Sequence, residues 1–339
     1  MPESGIGMSP YRFFGKNGIS RLIVVGRGPH VVCALRAAIE EGIDNVFFSS
    51  PRLADDEGVR SARSLSVNFN ECTKLSMEDL VPFSDSGAFL LSVGSPFILS
   101  DQTIELFDGR MVNLHGGSLP LFRGGGTYSW QILMNAFDGA STVHSIAPEI
   151  DAGEIISQRK FRFPDSCRLP RDFLGHQWRE DIIHLEAFLR RLFENEPFQR
   201  QTQDEDLATY FPRLHTETHG YLDVSWPVDD AARFIRAFSH PYPGAISFLG
   251  NERIRLFDAS VKKIDEPDFH PFQFGLVINR TKDQLEIAAN GGRLVISEFS
   301  CQSMIKVGDR IYTPLSFIDA ANMARVKFMA DGRIRVSSD

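Results

Sequence analysis

Residues 21–50, RLIVVGRGPHVVCALRAAIEEGIDNVFFSS, decide the fold class of this chain. The apolar run at 21–26 ends in glycine, which is typical of a buried parallel strand followed by a tight turn. Residues 30–42 show helical spacing that stops at a glycine, and residues 45–50 form a second apolar run. This order predicts a strand-helix-strand unit with two parallel strands.

The alternation of strands and helices continues downstream of this unit. Its short connections predict an open, mostly parallel sheet with flanking helices, which is a Rossmann-like α/β fold. The predicted strands are 87–94, 110–115, 141–148 and 154–163, and the predicted helices are 76–83, 96–107, 127–136 and 170–196. The predicted apolar face of the last helix contains Phe173, Trp178, Ile182, Ile183, Leu185, Phe188, Leu189 and Leu192.

The pattern changes towards the end of the chain. Residues 197–219 are polar and are predicted to be a linker. After about residue 272, short runs separated by turn signals predict strands in FGLVINR, QLEIAAN, RLVISEFS and IYTPLSFI. We therefore expect two domains: residues 1–205 with the α/β sheet, and residues 206–339 with the linker and a small β-barrel-like domain of OB type.

Composition limits the classes of function. The chain has 339 residues and a net charge of −8, which disfavours a nucleic-acid binder because phosphate contacts need clustered Lys and Arg. The cysteines form no CxxC pair and the histidines show no metal-ligand spacing, so reduced thiols and no metal site are expected. No signal peptide or membrane-spanning run is visible, and a cytoplasmic protein without a membrane partner is expected.

A Gly-x-Gly sequence at Gly26 and Gly28 is only weak support for a dinucleotide site. Val31 replaces the third glycine of that fingerprint, and Ser49 stands where an acid would bind ribose. A tight turn leading into a helix explains both glycines, and we favour that interpretation.

A stronger candidate lies in VNLHGGSLPLFRGGG, residues 112–126. Asn113 and His115 are two positions apart, so on an extended strand their side chains point the same way, beyond the carboxyl end of the sheet where ligands bind. An amide donates to a developing oxyanion and a neutral imidazole accepts a proton. A structural strand end is the alternative, but Asp151, in the turn IDAGEI at 150–155, favours catalysis because an acid at the same edge would orient His115.

These residues together resemble the signature of the folate-dependent formyltransferases. The matching segments are Asn113-x-His115, Ser118-Leu119-Pro120, Arg123-Gly124, Asp151-x-Gly153 and STVHSIAPEIDAGEII, which includes His144. Residues 220–259 are similar to the connection and early C-terminal domain of methionyl-tRNA formyltransferase and related enzymes. The resemblance implies the formyltransferase fold and 10-formyltetrahydrofolate as the co-substrate.

The resemblance also implies the roles of site residues. Asn113, His115 and Asp151 would be catalytic: Asn113 would stabilise the oxyanion formed when an amine attacks the formyl carbon, and either His115 or Asp151 would be the base. The implied folate slot contains Ser92, Gly94, Phe97, Ile98, Leu99, Ile146, Pro148 and Ile150. The implied acceptor site contains Arg123, Gly124 and Trp130. Simple packing is the alternative for the apolar residues and for Trp130, and a salt bridge that shapes the loop is the alternative for Arg123.

Several acceptors are compatible with the family. Residues 215–339 hold 15 Lys plus Arg against 16 Asp plus Glu, which disfavours a tRNA-binding domain. Gly125-Gly126-Thr127 followed by Trp130 is similar to the nucleotide-linked sugar N-formyltransferases, whose products resemble building blocks of bacterial lipopolysaccharide O-antigens. We therefore predict a UDP- or dTDP-amino sugar as acceptor. Another biosynthetic amine, methionyl-tRNA and hydrolysis of formyltetrahydrofolate are the alternatives, and a homodimer is what look-alike enzymes imply.

Overall fold

A computed structural model describes residues 10–263, 268–328 and 334–337 of the chain. Two main sheets organise these residues, with helices around the first sheet. The strands are β1 Arg21–Gly26, β2 Asp44–Ser49, β3 Asn68–Glu71, β4 Ala88–Val93, β5 Met111–His115, β6 Arg123–Gly124, β7 Asp138–Ser145, β8 Ile155–Arg162, β9 Tyr210–Phe211, β10 Ala245–Leu249, β11 Glu252–Lys262, β12 Val277–Arg280, β13 Leu285–Ala289, β14 Gly292–Ser300, β15 Ile311–Tyr312, β16 Arg325–Phe328 and β17 Ile334–Ser337. The α-helices are α1 Pro29–Glu40, α2 Glu57–Arg63, α3 Met77–Leu80, α4 Asp101–Phe107, α5 Thr127–Leu133, α6 Pro170–Phe193, α7 Thr216–His219, α8 Val228–Ala237 and α9 Leu315–Met323.

The first sheet confirms the predicted α/β architecture. Its seven strands lie in the order β3-β2-β1-β4-β5-β7-β8. The first five are parallel, and β7 and β8 join as antiparallel strands at one edge. The register places Ser92 beside Asn113 and Asn113 beside His144. This register brings polar side chains from three neighbouring strands to the carboxyl end of the parallel strands.

The second sheet is antiparallel and curls towards closure. Its six strands lie in the order β12-β13-β14-β11-β10-β15. The two edges approach each other, because the Leu276–Arg310 bridge and the bond from the Ile311 amide to the Gly275 carbonyl join the start of β12 to the start of β15. This confirms the predicted small β-barrel-like unit, while the domain boundary at residue 205 stays a prediction.

Three predicted elements differ from the structure. The helix placed at 96–107 begins only at Asp101, because the Ser100 side chain accepts a bond from the Thr103 amide and so caps the helix. IYTPLSFI is not one strand: only Ile311 and Tyr312 pair, and α9 begins directly after Pro314. The predicted linker 197–219 contains β9, which pairs with β6, and the short helix α7.

The buried face of α6 is more polar than its sequence pattern predicted. Ile183 is 49% exposed, whereas Gln177, Asp181 and His184 are buried. His184 lies between two hydroxyls, with Nε2 2.7 Å from Ser157 Oγ and Nδ1 3.0 Å from Ser141 Oγ. Burial disfavours its charged form and lowers the pKa of His184 to about 4. None of the helices in the described part of the chain is long and apolar enough to cross a membrane.

Candidate active site

A cavity of about 490 Å³ opens at the carboxyl end of the first sheet. Its walls come from the loops after β1, β4, β5 and β7, from α5, and from the segments around Arg213 and Tyr242. The α/β sheet and the C-terminal part of the chain therefore both contribute to it. This is the location that open parallel sheets provide for ligands, since loops from neighbouring strands diverge there.

Three of the predicted residues meet on one side of this cavity. The Asp151 carboxylate lies between two imidazoles: Oδ2 is 3.5 Å from His115 Nδ1, and Oδ1 is 3.5 Å from His144 Nε2. Asn113 joins the same group, because its Nδ2 is 3.1 Å from His144 Nε2. The sequence placed His144 in the family segment without giving it a role, and the structure places it between Asn113 and Asp151.

Both ring nitrogens of His115 face oxygen acceptors. Nε2 lies 2.7 Å from the Phe122 carbonyl, so this nitrogen carries a proton and donates it. Nδ1 faces the Asp151 carboxylate. His115 is only 9% exposed, which increases the strength of its interaction with Asp151.

The backbone holds Asp151 in place as firmly as the histidines do. Asp151 has φ +55°, an uncommon conformation for a residue with a side chain, and its Oδ2 accepts a 2.8 Å bond from the Gly124 amide. Burial opposes ionisation, but the charge of His115 and the bonds from His144 and Gly124 outweigh it and lower the pKa of Asp151 to about 2. The carboxylate is therefore ionised throughout the neutral range.

Gln203, which lies in the predicted linker, ties the Asp151 turn to the loop after β5. Its side-chain amide donates to the Asp151 and Gly153 carbonyls, both at 2.7 Å, and its Oε1 accepts from Arg123 Nε at 3.0 Å. Gln203 is 5% exposed, so each of its bonds is shielded from water. Nothing in the local sequence indicates this role, because the partners are separated by 50 to 80 positions.

Arg123 and Trp130 are not among the residues that line the cavity, so their place in the acceptor site stays a prediction. The Arg123 guanidinium forms a bidentate pair with Glu205, at 2.9 Å and 2.7 Å, so it shapes the loop as the alternative interpretation expected. Trp130 packs on Phe211 and donates its Nε1 proton to the Pro212 carbonyl at 2.8 Å. Gly124 does line the cavity.

All the residues of the implied folate slot line the cavity. These are Ser92, Gly94, Phe97, Ile98, Leu99, Ile146, Pro148 and Ile150. Phe97 also belongs to the core beneath the sheet, whereas Ile98 is 73% and Ile150 51% exposed. Exposed apolar side chains on two facing segments form a slot that a flat ring would cover.

The turn after β1 does not offer its backbone to a phosphate. The Gly28 amide donates to Asp56 Oδ1 at 3.0 Å, and the same oxygen accepts from the Val59 amide. A carboxylate therefore occupies the position that a dinucleotide phosphate would need, in agreement with our interpretation of Gly26 and Gly28 as a tight turn. Among the described residues, no group of three or more His, Cys, Asp and Glu side chains is placed to hold a metal ion.

Comparisons with known proteins find formyl transferases similar to this chain. Residues 89–164 match the family model described as formyl transferase, and residues 216–308 match the model described as formyl transferase, C-terminal domain. The fold is similar to an N-formyltransferase from Helicobacter canadensis, crystallised with folinic acid and dTDP-3-aminofucose, with a TM-score of 0.65, 16% identity, and coverage of 83% of this chain and 100% of that chain.

Two further structures share the fold. WlaRD, a sugar 3N-formyl transferase crystallised with dTDP and 5-N-formyltetrahydrofolate, has a TM-score of 0.63 and 17% identity over 85% of this chain and 99% of its own. A 4-N formyltransferase from Francisella tularensis has a TM-score of 0.56 and 16% identity over 68% of this chain and 92% of its own.

Proposed function

Because the chain belongs to the formyl transferase family, we propose that it transfers a formyl group from 10-formyltetrahydrofolate to the amino group of a nucleotide-linked amino sugar. The observation that carries the proposal is the group of Asn113, His115, His144 and Asp151, which lies beside an apolar slot in one cavity. The similar folds crystallised with folinic acid and a dTDP-amino sugar, or with a formylated folate and dTDP, support this donor and this class of acceptor.

The residues of the slot fit a folate. Ile98 and Ile150 expose apolar surface that a pterin ring would cover, while Ser92 and the backbone of 146–151 offer polar groups to its edge. When bound, the folate supplies the formyl group. The slot would hold it so that the formyl group faces Asn113, because the slot and the catalytic residues line the same cavity.

Asn113 and the Asp151–His115 pair divide the chemistry. The Asn113 amide donates to the oxygen that gains charge during transfer. His115 in its neutral form takes the amine proton at Nδ1, since Nε2 is bound to the Phe122 carbonyl, and Asp151 stabilises the imidazolium that results. His115 then returns this proton to the folate nitrogen as the bond between that nitrogen and the formyl carbon breaks. With a pKa of about 2, Asp151 is itself too weak a base to take that proton near neutral pH.

A formylation assay tests the proposal directly. Protein and 10-formyltetrahydrofolate would be offered UDP-, dTDP- and GDP-linked amino sugars and methionyl-tRNA, with products identified by the added mass of a formyl group. We expect an adduct on one nucleotide sugar. Adducts on tRNA alone would contradict the proposed acceptor, and folate turnover without an adduct would indicate a hydrolase.

Variants at the site separate catalysis from folding. Asn113→Ala, His115→Ala and Asp151→Ala are each expected to lower kcat about 100-fold, since one transition-state donor is worth about 3 kcal/mol. Thermal unfolding of each variant shows whether the fold is intact. Three well-folded variants with near-normal turnover would refute these catalytic roles.

A further inference from the structure

Two arginines line the same cavity as the folate slot. Arg27 follows β1 and Arg213 follows β9, and both line the cavity and are exposed to it. The Arg27 side chain lies over Gly94, where an added methyl group would be 3.4 Å from its Cγ. Arg213 packs against Gly125 in the loop after β5, with its Cβ 3.0 Å from the corresponding position. Positive charge is thus brought to one wall from segments far apart in sequence.

Two tyrosines line the same cavity as the two arginines. Tyr128 comes from α5 and Tyr242 from the turn after α8, and both line the cavity. The four groups are close enough to influence one another. Enclosure and the charge of Arg27 lower the pKa of Arg213, and burial with the nearby charge of Asp181 raises the pKa of Tyr128 well above its usual value. The tyrosine therefore stays protonated at neutral pH and keeps a hydrogen to donate.

Two carboxylates near these residues are already engaged. Asp56 accepts from the Gly28 and Val59 amides, and Asp181 accepts from Gln177 at 2.8 Å and lies 3.3 Å from His30. Among the described residues, no carboxylate lies within ion-pair distance of Arg27. The charge of Arg27 is thus directed at the cavity.

We propose that Arg27, Arg213, Tyr128 and Tyr242 form an oxyanion subsite that holds the diphosphate of the acceptor. The inference rests on the proposed function, which brings a folate donor and a nucleotide-linked acceptor to the same cavity. Guanidinium and phenolic groups both donate hydrogen bonds, and a diphosphate offers several charged oxygens that can accept from them. The subsite replaces the phosphate role that Arg123 was expected to have.

Direct binding measurements test the subsite without turnover. The probes are dTDP, UDP, inorganic pyrophosphate and folinic acid, and the variants are Arg27→Gln and Arg213→Gln. Lys160→Gln, which removes an exposed positive charge on the edge strand β8, is the matched control. We expect each arginine variant to weaken nucleotide and pyrophosphate binding about 10- to 100-fold, the range for one charge-assisted contact. Folinic acid binding should stay unchanged, and the control should resemble the wild type.

The results distinguish the two sources of an anion. Folinic acid carries carboxylates, so a selective loss of folinic acid binding would assign these arginines to the donor and overturn the inference. Unchanged pyrophosphate and nucleotide binding in folded variants, or a wild type that binds none of these phosphate probes, would also overturn it. If the formylation assay yields no adduct while dTDP binding still depends on both arginines, the proposed function fails and the subsite stands.

Discussion

Replacing Gln203 by leucine is expected to disable the site, although Gln203 itself does not line the cavity. The substitution keeps the volume but removes two 2.7 Å bonds to the Asp151 and Gly153 carbonyls and one 3.0 Å bond from Arg123. At about 1 kcal/mol for each neutral bond and about 2 kcal/mol for the charged one, the turn loses about 4 kcal/mol of local stabilisation. Asp151 would then leave its position between His115 and His144.

The expected result is a fall in kcat of about 100-fold, the usual cost of misplacing a catalytic group by about 1 Å. The Michaelis constant for the acceptor should change little, because Gln203 does not line the cavity. Steady-state kinetics with the formylated amine as the readout measures both, and circular dichroism checks the fold.

Gln131→Leu is the matched control. Gln131 is equally buried, at 1% exposure, and its amide donates to the Asp138 carbonyl at 3.1 Å, away from Asp151. Both variants are expected to be less stable than the wild type, but only Gln203→Leu should lose turnover. If the two variants keep the same kcat, Gln203 does not position Asp151.

Three other predictions follow from single contacts. Gly124→Ala should abolish activity and β6–β9 pairing, because Gly124 has φ +94° and a Cβ would lie 2.3 Å from the Phe211 carbonyl oxygen. Gly175→Ala on α6 is the control: it has open space around it and should raise the free energy of unfolding by about 0.5–1 kcal/mol in thermal unfolding. Arg123→Ala should lower the thermal stability and kcat without a selective rise in the Michaelis constant for a phosphorylated acceptor; a selective rise would return Arg123 to the acceptor site. The pKa of His184 is about 4 in the folded state and near 6.5 in the unfolded state, so the unfolded state takes up the proton at a higher pH than the folded state does. The free energy of unfolding should therefore fall by about 3 kcal/mol between pH 6.5 and pH 4. His184→Gln should reduce this pH dependence, as measured by denaturant titrations.

Local patterns in the sequence predicted the scaffold of the site. Apolar runs gave the parallel strands, and the family signature named Asn113, His115 and Asp151, which the structure brings to one cavity. These features depend on residues close together in sequence or on an ordered motif. The catalytic roles themselves stay predictions until they are measured.

Contacts between distant segments were not predictable in the same way. Arg123 sits in the signature beside Gly124, yet its side chain pairs with Glu205, which lies 82 positions away. The polar composition of residues 197–219 predicted a linker. Polarity alone does not show that Gln203 is buried against the Asp151 turn. Periodicity reports which face of an element is buried, but not which remote segment covers it.

The β6–β9 pairing limits where this chain can be divided in a domain exchange. Asp151 is oriented through Gly124 and Gln203, so its position depends on the chain as far as about residue 211, and Arg213 and Tyr242 line the cavity beyond that point. A recombination point near residue 205 would therefore cut through the site rather than between two modules. A new C-terminal domain should therefore be joined only beyond Phe211, so that β9 and its pairing partner β6 come from the same protein.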